Sequence, residues 1–551
     1  MVPSGFVGPR SSRIFVPRRH GQVLLEPTGT VLHQAVIARR GKSAGWISSE
    51  PWPALAAVAR RELYESLCAH AKLQDIPPPP ADVLQQPWII TGHQNEFYHA
   101  GVWAKVLLAD RLARWTGALA IDLLVDHDRV DPFGFVVPVR KGDRLQKELV
   151  RWAHASPLPA EQLSAPSAAA RRAWIENIFA NSPVRSDALE QFLGFLAEDS
   201  QPHLVPWLSG ARRRFEISLG LNVWHVPCSR LCEGVAWTAF VLAWLREARA
   251  WSGAYNAALG RYRAARRISD PGRPMPDLLR TDQHIELPFW IYSDNQPRAR
   301  LMLDDAGERG ILYSDRLLPV ASFLAGELIA AAPRLHEELV RQRLHIRPRA
   351  LTLTMFIRLH LSDLFIHGIG GALYDQITDE ILRSIFQVCP SYACVSAGWL
   401  LPAADEVASL PDPARLRAQR HHLAHNPQLL IAAGAAASGS ADNLLQERQE
   451  TIERIKTSLR EDRGRRRRDA SNRLVRGELF RRLHAINERL GELAPGVMQD
   501  IESQIVQAGI ARENAAVAAW REYFFALHSR ESLRELLARI DDQMRHADSG
   551  E

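Results

Sequence analysis

The stretch that decides the fold is Thr91–Lys105, TGHQNEFYHAGVWAK. The four residues before it, Pro87–Ile90, are apolar and partly β-branched, which predicts a buried strand. From Gly101 onward, apolar residues recur at helical spacing, which predicts a helix over Gly101–Trp115. The polar cluster therefore lies where a strand passes into a helix, the position at which α/β sheets bind ligands.

A second strand is predicted next along the chain, because Ala118–Val125 is an almost continuous apolar run. A right-handed crossover would place it parallel to the first strand, with both strands ending at the same edge of the sheet. Asp126, His127 and Asp128 follow it directly. These side chains suit acid/base chemistry or a ribose hydroxyl, and with Asp131 they could bind a metal. A surface histidine among exposed carboxylates would give the same sequence.

A second junction of this kind is predicted around His367-Gly368-Ile369-Gly370-Gly371, which follows the strand-like run Ser362–Phe365 and precedes a helix reaching Phe386. Its glycines permit a close approach of the backbone, and free amides at a helix start suit an anion. The spacing matches neither the dinucleotide fingerprint nor the Walker loop, so a plain tight turn remains the alternative. The preceding run, Ala350–His360, is predicted to be a strand.

The other segments are assigned by periodicity and by turn residues. The first fifty residues are predicted to be extended, and Lys141–Ser200 is predicted to be mostly helical. Helices are also predicted at Trp52–Leu73 and Glu233–Ala250, and strands at Asn222–Pro227, His284–Tyr292, Ala299–Leu303 and Gly310–Tyr313, the last three as a small antiparallel or mixed patch.

The C-terminal third changes in character. Asp442–Gln507 is strongly charged and helical, which favours an antiparallel helical hairpin or coiled coil. Ala515–Leu537 is rich in aromatic residues and is expected to return to the core. The basic run Gly464–Asp469 could contact nucleic acid or a nucleotide phosphate, but no aromatic residues alternate with it. We therefore interpret it as a solvated face and do not expect nucleic acid as a partner.

Composition sets the remaining expectations. A chain of 551 residues predicts two or three structural units, and its formal charge of +6 carries little information about partners. Five cysteines are too few for a disulfide framework, and no secretory signal or membrane-spanning run is evident, so a cytoplasmic protein without a membrane partner is expected. The spacings Cys228/Cys232 and Cys389/Cys394 are read as buried cysteines, and no metal site is predicted.

The cluster Gly92-His93-Gln94, the later Lys105 and the run Asp126-His127-Asp128 together resemble the bacillithiol biosynthesis cysteine-adding enzyme family. Arg347–Leu382 resembles the second glycine-containing junction of that family, and Asp442–Gln507 resembles its coiled coil. The family has Gly-Gln-Gln at the first cluster, an acidic residue at the position of Val125, and Gly-Gly-Pro at the second junction. These departures affect the substrate more than the architecture.

The resemblance implies an α/β fold with a Rossmann-type parallel core, inserted connecting segments and a C-terminal antiparallel helical coiled coil that forms a homodimer. The expected domains follow the chain. They are an N-terminal extended and helical segment at 1–80, a core at 81–440 with insertions near 141–215 and 284–345, a coiled-coil hairpin at 441–507, and a segment returning to the core at 508–551.

The implied activity is a ligase reaction of low-molecular-weight thiol biosynthesis, in which the amine of a glucosaminyl-malate-like acceptor attacks an activated cysteine carboxyl. ATP or another adenine nucleotide is the candidate cofactor. A non-catalytic nucleotide or small-metabolite binding protein of the same fold is the alternative. The predicted catalytic residues are His93, Asp126, His127 and Asp128, and the predicted substrate-binding residues are Gly92, Gln94, His99, Lys105, His367, Gly368, Gly370, Gly371 and Tyr374.

Overall fold

The computed structural model describes residues 7–42, 45–131, 133–305, 309–313, 316–402, 412–432, 439–463, 470–493 and 495–545. The chain divides into two compact units. Unit 1 comprises Met1–Val139, Lys147–Leu401 and Trp520–Glu551, and unit 2 comprises Arg140–Gln146 and Pro402–Ala519. The basic run Gly464–Asp469 lies outside the described residues.

The strands are β1 Gln22–Glu26, β2 Trp88–Gln94, β3 Leu119–Val125, β4 Phe133–Lys141, β5 Arg144–Ala153, β6 Trp224–Pro227, β7 His284–Ser293, β8 Ala299–Asp304, β9 Gly310–Tyr313, β10 Arg316–Pro319, β11 Leu344–Pro348, β12 Leu364–His367 and β13 Tyr392–Gly398.

The helices of unit 1 are α1 Gly29–Ile37, α2 Trp52–Leu73, α3 Ala100–Thr116, α4 Ala168–Asn181, α5 Asp187–Glu198, α6 Leu204–Ser218, α7 Cys228–Leu231, α8 Val235–Arg246, α9 Ala248–Arg266, α10 Ala321–Leu324, α11 Leu328–Arg341, α12 Ala350–His360, α13 Ile369–Phe386 and α19 Arg530–Arg545. Those of unit 2 are α14 Pro413–His425, α15 Gln428–Ala432, α16 Gly439–Arg463, α17 Ala470–Glu492 and α18 Pro495–Ala518.

A parallel sheet is the centre of unit 1. Its strands lie in the order β6-β3-β2-β12-β13, and β1 pairs antiparallel with β13 at the far edge. The next two strands of this sheet along the chain, β3 and β6, lie on one side of β2, and the last two, β12 and β13, lie on its other side. The strand order therefore reverses between β2 and β12. The predicted parallel pairing of the first two strands is confirmed, with Ile90 of β2 opposite Ile121 of β3.

Both faces of this sheet are covered, as the continuous apolar runs predict. Along β2, Ile89 belongs to one buried cluster and Ile90 to the other; along β12, Ile366 and Phe365 divide in the same way. Because side chains alternate between the two faces of a strand, one sheet separates two cores. The cluster with Ile90 includes α2, α8 and α12, and the cluster with Ile89 includes α3, α5 and α6.

A second sheet in unit 1 is entirely antiparallel, in the order β10-β9-β8-β7-β11. It contains the three short strands predicted between residues 284 and 313, and it adds β10 and β11. Strand β11 ends at Pro348 and helix α12 begins at Ala350, so a single residue connects this sheet to a helix that lies beside the central sheet.

Three predictions were wrong. Ala350–His360 is helix α12 rather than a strand, because tertiary packing of its apolar residues overrides the β propensity of its Leu-Thr-Leu-Thr sequence. Arg144–Ala153 is strand β5, paired with β4 in a hairpin, although Lys141–Ser200 was expected to be mostly helical. Residues 1–50 contain helix α1 as well as the extended strand β1.

Unit 2 is helical. Helices α16 and α17 run antiparallel, since Arg448 Nε donates to Asn487 Oδ1 (2.8 Å) and, further along α16, the Ser458 carbonyl accepts from Arg476 (3.4 Å). Leu444, Ile486 and Leu490 form their buried contact. The two helices fall in the region Asp442–Gln507, for which a helical hairpin or coiled coil is predicted, and a third helix, α18, begins at Pro495 within it. In the described part of the chain, no helix of either unit is long and apolar enough to cross a bilayer.

The carboxylate of Asp363 fixes the start of the β2–β12 pair. It is 3% exposed, accepts from the Trp88 amide at 2.9 Å, and forms ion pairs with Arg60 and with Arg39 Nε, the latter at 2.9 Å. The Asp363 amide in turn donates to the Trp88 carbonyl at 2.9 Å. The first residue of β2 is therefore tied to the residue that precedes β12.

The substitution Asp363→Ala is expected to lower the free energy of unfolding by about 3–5 kcal/mol, because it leaves buried cations without their carboxylate. Urea titration followed by circular dichroism measures this loss. Glu535→Ala is the matched control, since its pair with Arg539 is half exposed and spans 3.6 Å, and it should change stability by less than about 1 kcal/mol. Equal losses in the two variants would contradict the anchoring role.

Candidate functional site

A cleft of about 510 Å³ lies at the carboxyl edge of the central sheet, where the strand order reverses. Its walls come from the β2–α3 junction, the end of β3, the β12–α13 junction and the start of α12. A volume of this size suits a small metabolite. Open α/β sheets bind their ligands at this position, because the crossovers leave the two neighbouring strands on opposite sides and a crevice opens between them.

The structure brings all but one of the predicted site residues to this cleft. The exception is Asp126. The predicted residues that line it are Gly92, His93, Gln94, His99, Lys105, His127, Asp128, His367, Gly368, Gly370, Gly371 and Tyr374.

The polar cluster of the first junction begins inside β2 rather than in a turn. Gly92 is required there, because a Cβ at this position would lie 2.8 Å from the Leu123 carbonyl oxygen of β3. His93 Nδ1 lies 3.6 Å from Glu96 Oε1, and Gln94 Nε2 donates to Asp128 Oδ2 at 3.3 Å. Burial, assisted by the charge of Lys105, lowers the pKa of His93 well below its usual value. His93 is therefore a neutral imidazole at neutral pH.

His99 caps helix α3. Its Nδ1 accepts from the Gly101 amide at 3.0 Å, which satisfies a donor at the helix start. Burial, followed by the nearby Arg521, lowers the pKa of His99 to about 4. A neutral His99 keeps the acceptor that the cap requires and leaves the positive end of the α3 dipole without an added cation.

Lys105 supplies a buried positive charge to the cleft. It is 5% exposed, and its Nζ donates to the Gly92 carbonyl. Burial lowers the pKa of Lys105 from 10.5 to about 8, while Asp122 acts in the opposite direction. Below pH 8 the ammonium form predominates, so Lys105 favours an anionic ligand at neutral pH.

The three residues after β3 have different positions. Asp126 is buried beside α7, where its carboxylate accepts from the Ser229 amide at 2.8 Å and from the Ser229 hydroxyl at 2.5 Å. His127 lines the cleft, and burial lowers its pKa to about 4 despite the opposing charge of Asp128. Asp128 also lines the cleft and forms an ion pair with Arg298. Of the three residues expected to act together in acid/base chemistry, His127 and Asp128 line the cleft, whereas Asp126 caps the start of the short helix α7.

The second junction holds a histidine in a fixed orientation. His367 Nε2 lies 2.8 Å from Asp375 Oδ2, and Asp375 is also bonded to Arg358 and to the Thr354 hydroxyl, the latter at 2.9 Å. Burial alone would raise the pKa of Asp375, but Arg358 and His367 hold it well below its usual range. A permanently charged Asp375 requires His367 to donate from Nε2, which leaves Nδ1 as the acceptor of the neutral ring.

Gly371 determines where the His367 ring can lie. A Cβ at Gly371 would approach His367 Nδ1 to 2.6 Å, whereas a Cβ at Gly370 would meet only Tyr374, at 4.0 Å. The glycines of this junction therefore differ in role, and only Gly371 is required by the imidazole.

Several cleft residues were not predicted. Asp375 lies eight residues after His367, and this spacing along a helix was the one available signal. Arg349 and Thr354 at the start of α12 were missed because the segment was predicted to be a strand. Trp290 and Arg521 come from distant parts of the chain, and only the tertiary fold brings them to the cleft.

Within the described residues, no group of three or more His, Cys, Asp or Glu side chains is arranged to hold a metal ion. Cys228, Cys232, Cys389 and Cys394 are free thiols in buried positions, as they were interpreted from the sequence.

No protein-family model matches the chain, and no curated protein matches it either. The assignment of a function therefore depends on the chemistry of the cleft.

The substitution Gly371→Ala is expected to displace the His367 ring and break its hydrogen bond to Asp375, because the added methyl group overlaps Nδ1. Nitrogen-15 NMR of labelled histidine reports the bond through the Nε2 proton, and urea unfolding should show a loss of about 1–3 kcal/mol. Gly370→Ala, one residue away, should leave the His367 signals unchanged and stabilise the helix by up to about 1 kcal/mol. Identical His367 spectra in both variants would exclude this role of Gly371.

Proposed function

We propose that the chain is a carbon–nitrogen ligase that joins the carboxyl group of an amino acid to the amine of a small anionic acceptor. The observation that carries the proposal is the meeting of twelve polar or glycine positions from three separate segments in one cleft of metabolite size. The buried ammonium of Lys105 and the starts of α3 and α13 favour a negatively charged ligand there. The oriented imidazole of His367 can accept a proton.

The reaction needs a base and a stabiliser of negative charge. The amine nitrogen adds to the activated carboxyl carbon, and the tetrahedral oxyanion then expels the activating group with its bonding electrons. ATP or another adenine nucleotide, consumed as a substrate, is the proposed source of that group. In this proposal Lys105 stabilises the oxyanion, and a neighbouring base takes the proton that the nitrogen loses.

His367 is the best of the three candidate bases. Burial lowers the pKa of both His93 and His127, so neither ring readily accepts a proton at neutral pH. The Asp375 carboxylate lies 2.8 Å from His367 Nε2, where it orients the imidazole and offers a negative charge to it. A base oriented by a carboxylate is a common arrangement in enzymes that activate nucleophiles.

The family resemblance extends this proposal to a specific reaction. In the proposed reaction, as in the cysteine-adding enzymes of bacillithiol biosynthesis that the sequence resembles, cysteine is the donor and a glucosaminyl-malate-like molecule is the acceptor. The strand order β6-β3-β2-β12-β13 supports the Rossmann-type core of that family, because it is the 3-2-1-4-5 order of doubly wound sheets. The antiparallel pairing of α16 and α17 is compatible with its coiled coil and with a homodimer formed there.

One observation favours a second candidate, a non-catalytic protein that binds a nucleotide or small metabolite. Asp126 is bonded to Ser229 outside the cleft lining, and Asp128 is paired with Arg298, so the carboxylates expected to assist proton transfer are both engaged.

Turnover distinguishes the two candidates. Purified protein incubated with ATP, cysteine and a panel of glucosaminyl-malate-like amines should form an amide product, detected by mass spectrometry together with nucleotide hydrolysis. His367→Gln is expected to reduce kcat by about 10²–10⁴-fold, the usual contribution of a general base, with little change in KM.

His154→Gln is the matched control, because His154 is exposed and does not line the cleft. It should retain the turnover of the unsubstituted protein. Binding of ATP or cysteine without product over the whole panel would reject the ligase and support the binding protein. Full activity of His367→Gln would retain the ligase but remove His367 as its base.

A further inference from the structure

Arg521 reaches the cleft from the last segment of unit 1. That segment is fixed against the first junction by aromatic packing, since Phe525 stacks on Trp103 with ring centroids 4.6 Å apart. The Phe525 amide also donates to the Tyr98 carbonyl at 3.1 Å, and Phe524 pairs with His99 in an isolated bridge. The guanidinium of Arg521 is therefore held at a defined place beside the start of α3.

The charge of Arg521 is not balanced by a direct ion pair. Its Nη1 donates to the Pro17 carbonyl at 2.9 Å and its Nη2 to the Ser396 hydroxyl at 3.2 Å, while its buried Nε has no hydrogen-bond partner. Both partners are neutral, and among the described residues no carboxylate lies within 4.0 Å of the guanidinium. Arg521 thus brings a net positive charge to the lining of the cleft.

Lys105 brings a second such charge. Its ammonium group donates to the neutral Gly92 carbonyl, and no carboxylate of the described residues lies within ion-pair distance of it. The stem of Lys105 also reaches the second junction, since a Cβ at Gly368 would lie 3.9 Å from Lys105 Cδ. A buried cation with no direct counter-ion is costly, and a bound anion would remove that cost.

The first turn of α3 lies beside both cations. A Cβ at Gly101 would approach the Ala397 carbonyl oxygen to 2.6 Å, which requires glycine there, and the same Cβ would lie 2.9 Å from Arg521 Nη2, which places the guanidinium against the first turn of α3. The seventeen-residue helix α3 adds the positive end of its dipole. Arginine, lysine and a helix start in one cleft suit an oxyanion rather than a neutral group.

We propose that Arg521 and Lys105 form a subsite that binds the oxyanion of the cleft's ligand, a phosphate or a carboxylate group. This inference rests on the proposed function only in taking that ligand to be the substrate. It gives the C-terminal segment a direct part in ligand binding, in addition to its packing on the core.

Isothermal titration calorimetry of the full chain at low ionic strength tests the subsite, with pyrophosphate and succinate as separate probes. Arg521→Gln is expected to weaken binding of the preferred probe by about tenfold or more, as loss of a charged hydrogen-bond donor does. Preference for pyrophosphate would assign the subsite to a phosphate, and preference for succinate would assign it to a carboxylate.

Arg539→Gln is the matched control, because it removes the same charge from α19 in the same segment, at an exposed position away from the cleft. It should bind the probes within twofold of the unsubstituted protein. Equal affinity of all three proteins, or binding of neither probe, would overturn the proposal.

A second variant, in a different element, keeps the test valid if Arg521→Gln fails to fold. Lys105→Met tests the same subsite from within α3 and should also weaken the preferred probe about tenfold; unchanged affinity would overturn the shared role of the two cations. Probe binding is measured without turnover. Binding that depends on Arg521 in a protein inactive on every amine would therefore retain the subsite and reject the ligase.

Discussion

The pairing of β2 with β12 is the constraint on which the rest of the structure depends. Ile90 lies opposite Phe365 in the sheet, although most of the core is inserted between them in the chain. The Thr91 hydroxyl donates to the Ile366 carbonyl at 2.9 Å, and Asp363 binds the Trp88 amide at the other end of the pair. This register places the ends of the two strands side by side, so that their two helix junctions form one cleft.

The sequence was sufficient to predict those strands and helices whose pattern is set by neighbouring residues. Ala118–Val125 has the apolar continuity of a strand covered on both faces, and Trp52–Leu73 has the periodicity of a helix; both predictions are confirmed. The two helix junctions lie on one cleft because each follows a strand of the parallel sheet, and parallel strands end at the same edge. The predictions of the strand and of the helix used only neighbouring residues and needed no long-range contact.

The sequence was insufficient to predict a segment or side chain whose conformation depends on packing against distant parts of the chain. Ala350–His360 has the β-branched, apolar composition of a strand, yet it becomes α12 because its residues fill the core beside α2 and α13. Asp126 was expected at the site from its neighbours, but its carboxylate turns to Ser229, a contact made across more than a hundred residues. Arg521 has no local signal at all, since it reaches the cleft only through the docking of Phe524 and Phe525.

The separation of β2 and β12 also has a consequence for synthesis of the chain. Thr91 and Ile366 are 275 residues apart, and at about 5–20 residues per second roughly 14–55 s pass before a ribosome completes the second strand. During this interval one edge of β2 has no partner and exposes hydrogen-bonding groups to other chains. In a nascent molecule that edge of β2 is therefore a site at which another chain can pair, and the finished fold covers it with β12.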